Sequence, residues 1–180
     1  MIYVCLADGF EETEAITPID LLRRAGAQVT VVGVTGKTVA GSHGIPVVAD
    51  EEIGAITGED AEMVVLPGGM PGTLNLENSP AVQALIDTAV KKGAFLGAIC
   101  AAPSILGHKN LLQGRTAVCF PGFEKDLHGA VMGEEETVCD GTIITSRGAG
   151  SAVSFGLKLV EALYGAEKAL KLGETIQWRR

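Results

Sequence analysis

Aromatic side chains and histidines are scarce in this chain of 180 residues. Only 4% of the residues are Phe, Trp or Tyr, and there are three histidines. Because 47% of the residues are nonetheless hydrophobic, the core must come from Val, Ile, Leu and Ala, which is typical of buried parallel strands. The charged fraction of 20% is that of a globular protein and excludes a disordered one.

The chain also has no block of basic residues. Its 14 Lys and Arg are outnumbered by 22 Asp and Glu, giving a formal net charge of −8. An acidic chain without a basic patch is poorly suited to phosphate backbones, so we expect no nucleic-acid partner. The longest apolar stretch, residues 94–107, is too short to cross a bilayer and contains Pro103, so we expect no membrane association.

A metal-binding cysteine motif is absent as well. The four cysteines are widely spaced and form no C-x-x-C pair: Cys5, Cys100, Cys119 and Cys139. This spacing argues against a zinc site, and no motif calls for another metal or an organic cofactor. The first residues lack the basic start of a secretory signal, so the cysteines are expected to be reduced thiols in a cytoplasmic protein.

Apolar strand-like segments alternate with helical ones along the chain. Strands are predicted at 2–7, 28–35, 63–66, 94–99, 115–118, 137–139 and 142–145, with a hairpin of 38–42 and 45–49. Helices are predicted at 80–91, 101–107, 151–164 and 166–173, and an earlier one starts either near Glu11 or at Thr17. This alternation predicts an α/β fold: a single domain over 1–180, as a flavodoxin-like three-layer sandwich with a mostly parallel sheet and helices on both faces.

Three strand ends are expected to meet at one edge of this sheet. A flavodoxin-like strand order places the first strand beside those that end at Leu66 and Ile99. Ligands bind outside the carboxyl ends of such strands. The loops that follow carry Glu11, Glu12 and Glu14, then Gly68 and Gly69, then Cys100 and Ala101. The sequence therefore predicts an acid, glycine amides and a thiol in one crevice.

Cys100 lies where a predicted strand gives way to small residues and a helix. Small neighbours permit a tight elbow of the kind that exposes hydrolase nucleophiles, and a helix N-terminus would favour the thiolate. The amides of Gly69 and Ala101 could stabilise an oxyanion, and one of the three glutamates in the crevice could move a proton if burial raises its pKa. The alternatives are structural: a core cysteine, as expected for Cys5, Cys119 and Cys139, with the glutamates as a solvated helix start and the glycines as a turn.

Four segments carry a family resemblance over nearly the whole chain: ADGFEETEA (7–15), VVLPGG (64–69), AICAAPSIL (98–106) and TSRGAGSA (145–152). Together they resemble the ThiJ/PfpI superfamily, in the branch of the parkinsonism-associated protein DJ-1. The resemblance implies a homodimer with a reactive cysteine, Cys100, that Glu14 hydrogen-bonds, and with Gly69 and Ala101 as backbone donors. His43 and Arg24 match basic positions near the dimer seam of relatives, although each could equally be an ordinary surface residue.

The resemblance also implies an activity. It is a cysteine-dependent, cofactor-independent glyoxalase or deglycase reaction on methylglyoxal or another small α-oxoaldehyde, with a cysteine that is sensitive to oxidative stress. The alternatives are a redox sensor or holdase chaperone with little turnover, and a plain binding module with a buried cysteine.

The chain departs from its relatives at one position near the cysteine. Several relatives place a histidine there, where this chain has Phe120, and the histidines present, His43, His108 and His128, define no triad. Ala101 stands where the protease-like branch has a histidine, which argues against peptidase activity. Glutamine amidotransferases need a late histidine, and none follows His128.

Overall fold

The computed structural model describes residues 1–179. Its strands are β1 (Ile2–Leu6), β2 (Val29–Gly33), β3 (Thr38–Ala40), β4 (Pro46–Val48), β5 (Glu51–Glu52), β6 (Met63–Leu66), β7 (Phe95–Ile99), β8 (Thr116–Ala117), β9 (Val131–Met132), β10 (Thr137–Asp140) and β11 (Ile143–Ser146). Its α-helices are α1 (Glu12–Arg24), α2 (Gly72–Glu77), α3 (Pro80–Lys92), α4 (Pro103–His108), α5 (Ala152–Tyr164) and α6 (Ala166–Thr175).

Seven of the strands form one sheet in the order β10-β11-β7-β6-β1-β2-β5. All neighbours are parallel except β10 and β11, which form an antiparallel hairpin at one edge. The predicted α/β fold with a mostly parallel sheet is confirmed. The ends of β1, β6 and β7 lie side by side, as the flavodoxin-like order requires.

The sheet is covered on both faces, which explains why its strands are apolar throughout. Side chains alternate along β1: Tyr3 and Cys5 pack into one core layer, whereas Ile2, Val4 and Leu6 pack into the other. The first layer includes α3 and α4, and the second includes α1, α5 and α6. No helix among residues 1–179 has the length and hydropathy needed to cross a bilayer.

The structure shows which of the two predicted starts of α1 is correct. The helix begins at Glu12, and Glu11 is its N-cap, with a side-chain oxygen that accepts the Glu14 N–H at 2.7 Å. The start at Thr17 is therefore wrong. Pro18 lies inside the helix, where its ring removes a single backbone hydrogen bond that the rest of α1 tolerates.

Two other expectations need correction. Cys139 is predicted in the core, but it is exposed, because β10 is the edge strand of the sheet and has a neighbouring strand on one side only. Cys5 and Cys119 are buried as expected. The sequence also failed to predict α2, β5 and β9, since the two strands have only two residues each and α2 follows a Pro-Gly pair that is typical of a turn.

Candidate active site

Cys100 occupies a strained elbow directly after β7. Its φ of 65° is in the left-handed region, which non-glycine residues rarely adopt. The backbone is held on both sides, because the Cys100 N–H donates to the Ser146 carbonyl at 2.9 Å and the Phe120 N–H donates to the Cys100 carbonyl at 2.8 Å. The side chain is half-buried, so the thiol is neither a core group nor a freely solvated one.

Glu14 lies against this thiol from the first turn of α1. Its side chain is almost completely buried, with 1% exposure, and hydrogen-bonds to the Cys100 thiol. Its Oε2 accepts the Gly68 N–H at 3.0 Å, and the carboxylate also accepts the Ala149 N–H. The N-cap bond to Glu11 orients this turn, so the helix start itself aims the carboxylate at the sulfur.

Gly68 makes the close approach of these groups possible. A Cβ atom at this position would lie 2.6 Å from the Cys100 Cβ and 2.6 Å from the Glu14 Oε2. Neither neighbour has room to move, because one is part of the elbow and the other is buried. Only glycine therefore allows the ends of β6 and β7 and the start of α1 to converge here.

The two predicted backbone donors also face the sulfur. The N–H groups of Gly69 and Ala101 hydrogen-bond to the Cys100 side chain. Donors this close to the sulfur are also near the place where an oxygen would develop on a carbon bonded to it. The four residues of the predicted centre, Cys100, Glu14, Gly69 and Ala101, are thus together in one crevice.

The electrostatics of the pair differ from the expected helix-stabilised thiolate. Burial raises the pKa of Glu14 to about 7, although its hydrogen bond to Cys100 acts in the opposite direction. Burial, and then the negative charge of Glu14, raises the pKa of Cys100 to about 12, despite the two backbone amides. A second negative charge in one buried crevice is unfavourable, so near neutral pH the pair loses one proton and keeps the other.

The glutamates before Glu14 have different roles. Glu11 caps α1, whereas Glu12 is 8% exposed and accepts the His43 N–H at 2.7 Å and the His43 Nδ1 at 2.8 Å. The His43 hydrogen bond helps to lower the pKa of Glu12 to about 2, against the opposing effect of burial. The alternative interpretation, in which these glutamates form a solvated helix start, is therefore wrong for Glu12 and Glu14.

The predicted dimer-seam residues are engaged within the chain. His43 binds Glu12 from the β3–β4 hairpin, and the Arg24 Nε donates to the Asp20 carboxylate at 2.6 Å. Ligand atoms of Glu11, Glu12 and His43 lie within 4.8 Å of one another, so these residues could hold a metal ion. The direct Glu12–His43 contacts already satisfy the carboxylate without one.

The remaining histidines belong to another part of the molecule. His108 ends α4 and pairs with Glu77 at 2.5 Å, and its ring centroid lies 5.2 Å from that of His128. The residue beside the elbow is Phe120, as the resemblance implied, and its ring is 48% exposed.

Sequence reasoning missed the contribution of the loop after β11. Ala149 donates to Glu14, and Gly148 lies between Glu14 and Phe120. The signal was present, because TSRGAGSA follows the strand that pairs with β7, and the loop after such a strand reaches the same edge of the sheet.

An α/β protein with a cysteine on a strained elbow beside a buried glutamate belongs to a recognisable class. A model of the DJ-1/PfpI family matches residues 1–162, and the chain belongs to this family. It is 38% identical to the Arabidopsis thaliana protein DJ-1 homolog B over 99% of its own length. It spans 41% and 44% of the lengths of the Arabidopsis DJ-1 homologs B and A.

Two further relatives bear on the fold and the chemistry. The structure of oxidised Toxoplasma gondii DJ-1 superimposes with a TM-score of 0.95 at 38% identity, covering 99% of this chain and 98% of that one. A Caenorhabditis elegans protein named glutathione-independent glyoxalase DJR-1.2 is 33% identical over 90% of this chain and 87% of its own length. The family thus includes glyoxalase-type enzymes.

The raised pKa of Glu14 predicts how stability depends on pH. Between its ordinary value of 4.5 and about 7, the folded protein keeps a proton that the unfolded chain has released. The free energy of unfolding should therefore fall by about 3 kcal/mol as pH rises through this window. Glu14→Gln should remove that part of the pH dependence, as measured by urea unfolding at pH 4.5 and 7.5.

The exposed Glu167 provides the control, because Glu167→Gln removes a carboxylate from the surface of α6. This variant should retain the wild-type pH dependence. The burial argument would be wrong if Glu14→Gln and wild type lost the same amount of stability between the two pH values.

Proposed function

We propose that the protein is a cysteine-dependent, cofactor-independent glyoxalase of the deglycase-related type, acting on methylglyoxal or another small α-oxoaldehyde. The observation that supports this most directly is the hydrogen-bonded pair of Cys100 and Glu14 with two amides on the sulfur. A nucleophile, a proton carrier and oxyanion donors are what the reaction needs. The name of the Caenorhabditis elegans relative is consistent with it.

The reaction begins with attack by sulfur on the aldehyde carbon. The Cys100 thiol gives its proton to the Glu14 carboxylate as the C–S bond forms, and the C=O electron pair moves to oxygen. The amides of Gly69 and Ala101 stabilise this oxygen until Glu14 passes the thiol proton on to it, which gives a neutral hemithioacetal and restores the Glu14 carboxylate. Because the thiol keeps its proton in the resting protein, this proposal makes Glu14 the base that activates it.

Glu14 then moves a proton between neighbouring carbons. It takes the proton from the sulfur-bearing carbon, which gives an enediolate. It then returns this proton to the adjacent carbon while the hydroxyl proton of the sulfur-bearing carbon moves to the neighbouring oxygen, which gives the thioester of a 2-hydroxyacid. Water hydrolyses the thioester, releases the hydroxyacid and restores the Cys100 thiol. A pKa near 7 suits this task, because Glu14 must both accept and donate a proton at neutral pH.

Substitution of either central residue tests the proposed reaction. Cys100→Ser removes the nucleophile and Glu14→Gln removes the proton carrier, so each should lower kcat/KM for methylglyoxal by at least about 100-fold. Lactate formation without added glutathione is the measurement. Cys139→Ser, which changes an exposed cysteine on β10, should keep wild-type turnover. Full activity in either site variant would refute the mechanism.

A redox sensor or holdase with little turnover is the second candidate. The half-buried sulfur faces two backbone N–H groups and Glu14, which could hydrogen-bond the oxygens of a sulfinate. The oxidation-sensitive cysteine and the link to oxidative stress both belong to this candidate.

The mass of the protein after treatment with mild peroxide tests the redox-sensor function. Intact-mass spectrometry should show a gain of two oxygen atoms in wild type and in Cys139→Ser, and no such gain in Cys100→Ser. Oxidation at Cys100 without lactate formation would favour the sensor. Equal oxidation of wild type and Cys100→Ser would rule out a selective sensor at this residue.

The homodimer and the cytoplasmic location stay predictions. Two exposed apolar side chains support a homodimer: Ile16 lies one turn after Glu12 in α1 and is 43% exposed, and Ile45 follows the hairpin turn and is 57% exposed. Both lie beside the Glu12–His43 contact, close to the residues that match the dimer seam of relatives.

Sedimentation equilibrium tests the dimer. Ile45→Asp should shift the wild-type mass toward that of a monomer, because a charge would be buried at the interface. Leu170→Asp, which alters an even more exposed apolar residue on α6, is the control and should leave the mass unchanged. A monomeric wild type would refute the proposal.

A further inference from the structure

We propose that Phe120 is a specificity-determining residue whose ring forms an apolar wall of the crevice and favours α-oxoaldehydes with an aromatic substituent over methylglyoxal. This inference rests on the proposed function, because it concerns the substrate of the same site. It rests on three observations: the position of Phe120 beside the elbow, the exposure of Phe120, and the absence of a side chain at Gly148.

Phe120 is tied directly to the elbow. Its N–H donates to the Cys100 carbonyl at 2.8 Å, so its backbone position is coupled to that of the nucleophile. Its ring is nevertheless 48% exposed, whereas Phe10 and Phe155 are completely buried in the core. A phenyl ring that contributes so little to the core, at a position fixed beside a reactive sulfur, is available to contact a ligand.

Gly148 defines the space that the ring faces. A Cβ atom at Gly148 would lie 3.2 Å from the Phe120 Cδ2 and 3.8 Å from the Glu14 Oε1. The phenyl ring and the carboxylate therefore flank the same small volume. The φ of Gly148 is 163°, an extended conformation that any residue adopts, so the backbone does not demand glycine. Because 3.2 Å is already tight for a Cβ atom, the glycine leaves no pocket between the ring and the carboxylate, but it leaves both groups uncovered by a side chain.

The chemistry of the two walls determines which substrate fits. In the proposed reaction the aldehyde carbon is bonded to sulfur and the adjacent carbon faces Glu14, so the substituent on that carbon extends toward the exposed part of Phe120. Phe120 cannot exchange a proton, and it contacts this substituent by apolar and ring–ring packing. A methyl group fills little of that contact, whereas a phenyl group fills it, and the difference amounts to about tenfold in binding.

Kinetics with two aldehydes test this inference. For phenylglyoxal and methylglyoxal, the ratio of kcat/KM values should fall about tenfold in Phe120→Ala, through a higher KM for phenylglyoxal with little change in its kcat. Gly148→Val puts a side chain against the ring and the carboxylate, so it should reduce turnover of the larger phenylglyoxal more than turnover of methylglyoxal. Leu170→Ala, far from the site on α6, should leave the ratio at the wild-type value.

A second measurement does not depend on turnover. Phenacyl bromide and bromoacetone each alkylate a thiol, forming a C–S bond with loss of bromide and of the thiol proton. Relative to their rates with free glutathione, Cys100 of wild type should prefer phenacyl bromide about tenfold, and Phe120→Ala should lose this preference. Intact-mass spectrometry on wild type, Phe120→Ala and Cys100→Ser gives the site-specific rates.

The two measurements separate the two proposals. Absence of turnover with both aldehydes, together with a Phe120-dependent alkylation preference, would refute the glyoxalase function and support the aromatic wall. Turnover with unchanged kinetic and alkylation ratios in Phe120→Ala would overturn the inference about Phe120 and leave the glyoxalase function in place.

Discussion

The contact between the Glu14 carboxyl group and the Cys100 thiol depends on the convergence of four chain segments. The ends of β6, β7 and β11 and the first turn of α1 each supply one side of it, through Gly68, Cys100, Ala149 and Glu14 itself. A carboxylate with 1% exposure is costly without partners, and here backbone amides and the thiol provide them. The chemical character of the site follows from this arrangement, because burial brings the pKa of Glu14 close to neutral.

Much of this architecture could be predicted from local sequence patterns. Apolar runs ended by Leu66 and Ile99 predict buried strands, and the parallel topology then brings the following loops together without further information. Cys100, Gly69, Ala101 and a glutamate beside them were predicted in this way, whereas the choice of Glu14 among three glutamates came from the family resemblance. The structure brings these four residues together. The start of α1 needed the structure, because Thr17-Pro18 and Glu11 both carry acceptable start signals and only the packed helix distinguishes them.

What could not be predicted depends on distances and on burial. The expectation of a thiolate used the nearby helix, but α4 begins three residues after Cys100, whereas a buried carboxyl group is in direct contact with it. Burial of the thiol, and then this nearby negative charge, raise its pKa instead of lowering it. Cys139 was wrongly predicted in the core for a related reason. An apolar strand pattern does not show whether the strand lies in the middle of a sheet or at its edge, where side chains are less covered. Gly148 was missed because its contribution is the absence of a side chain beside Phe120 and Glu14, and only the structure shows these neighbours.

The first turn of α1 has one more consequence. Within three residues, Glu12 holds the β3–β4 hairpin through His43, and Glu14 holds the thiol. One helical turn therefore positions both an exposed hairpin and a buried reaction centre. A sequence change that shifts this turn therefore alters the exposed hairpin and the surroundings of the reactive sulfur together.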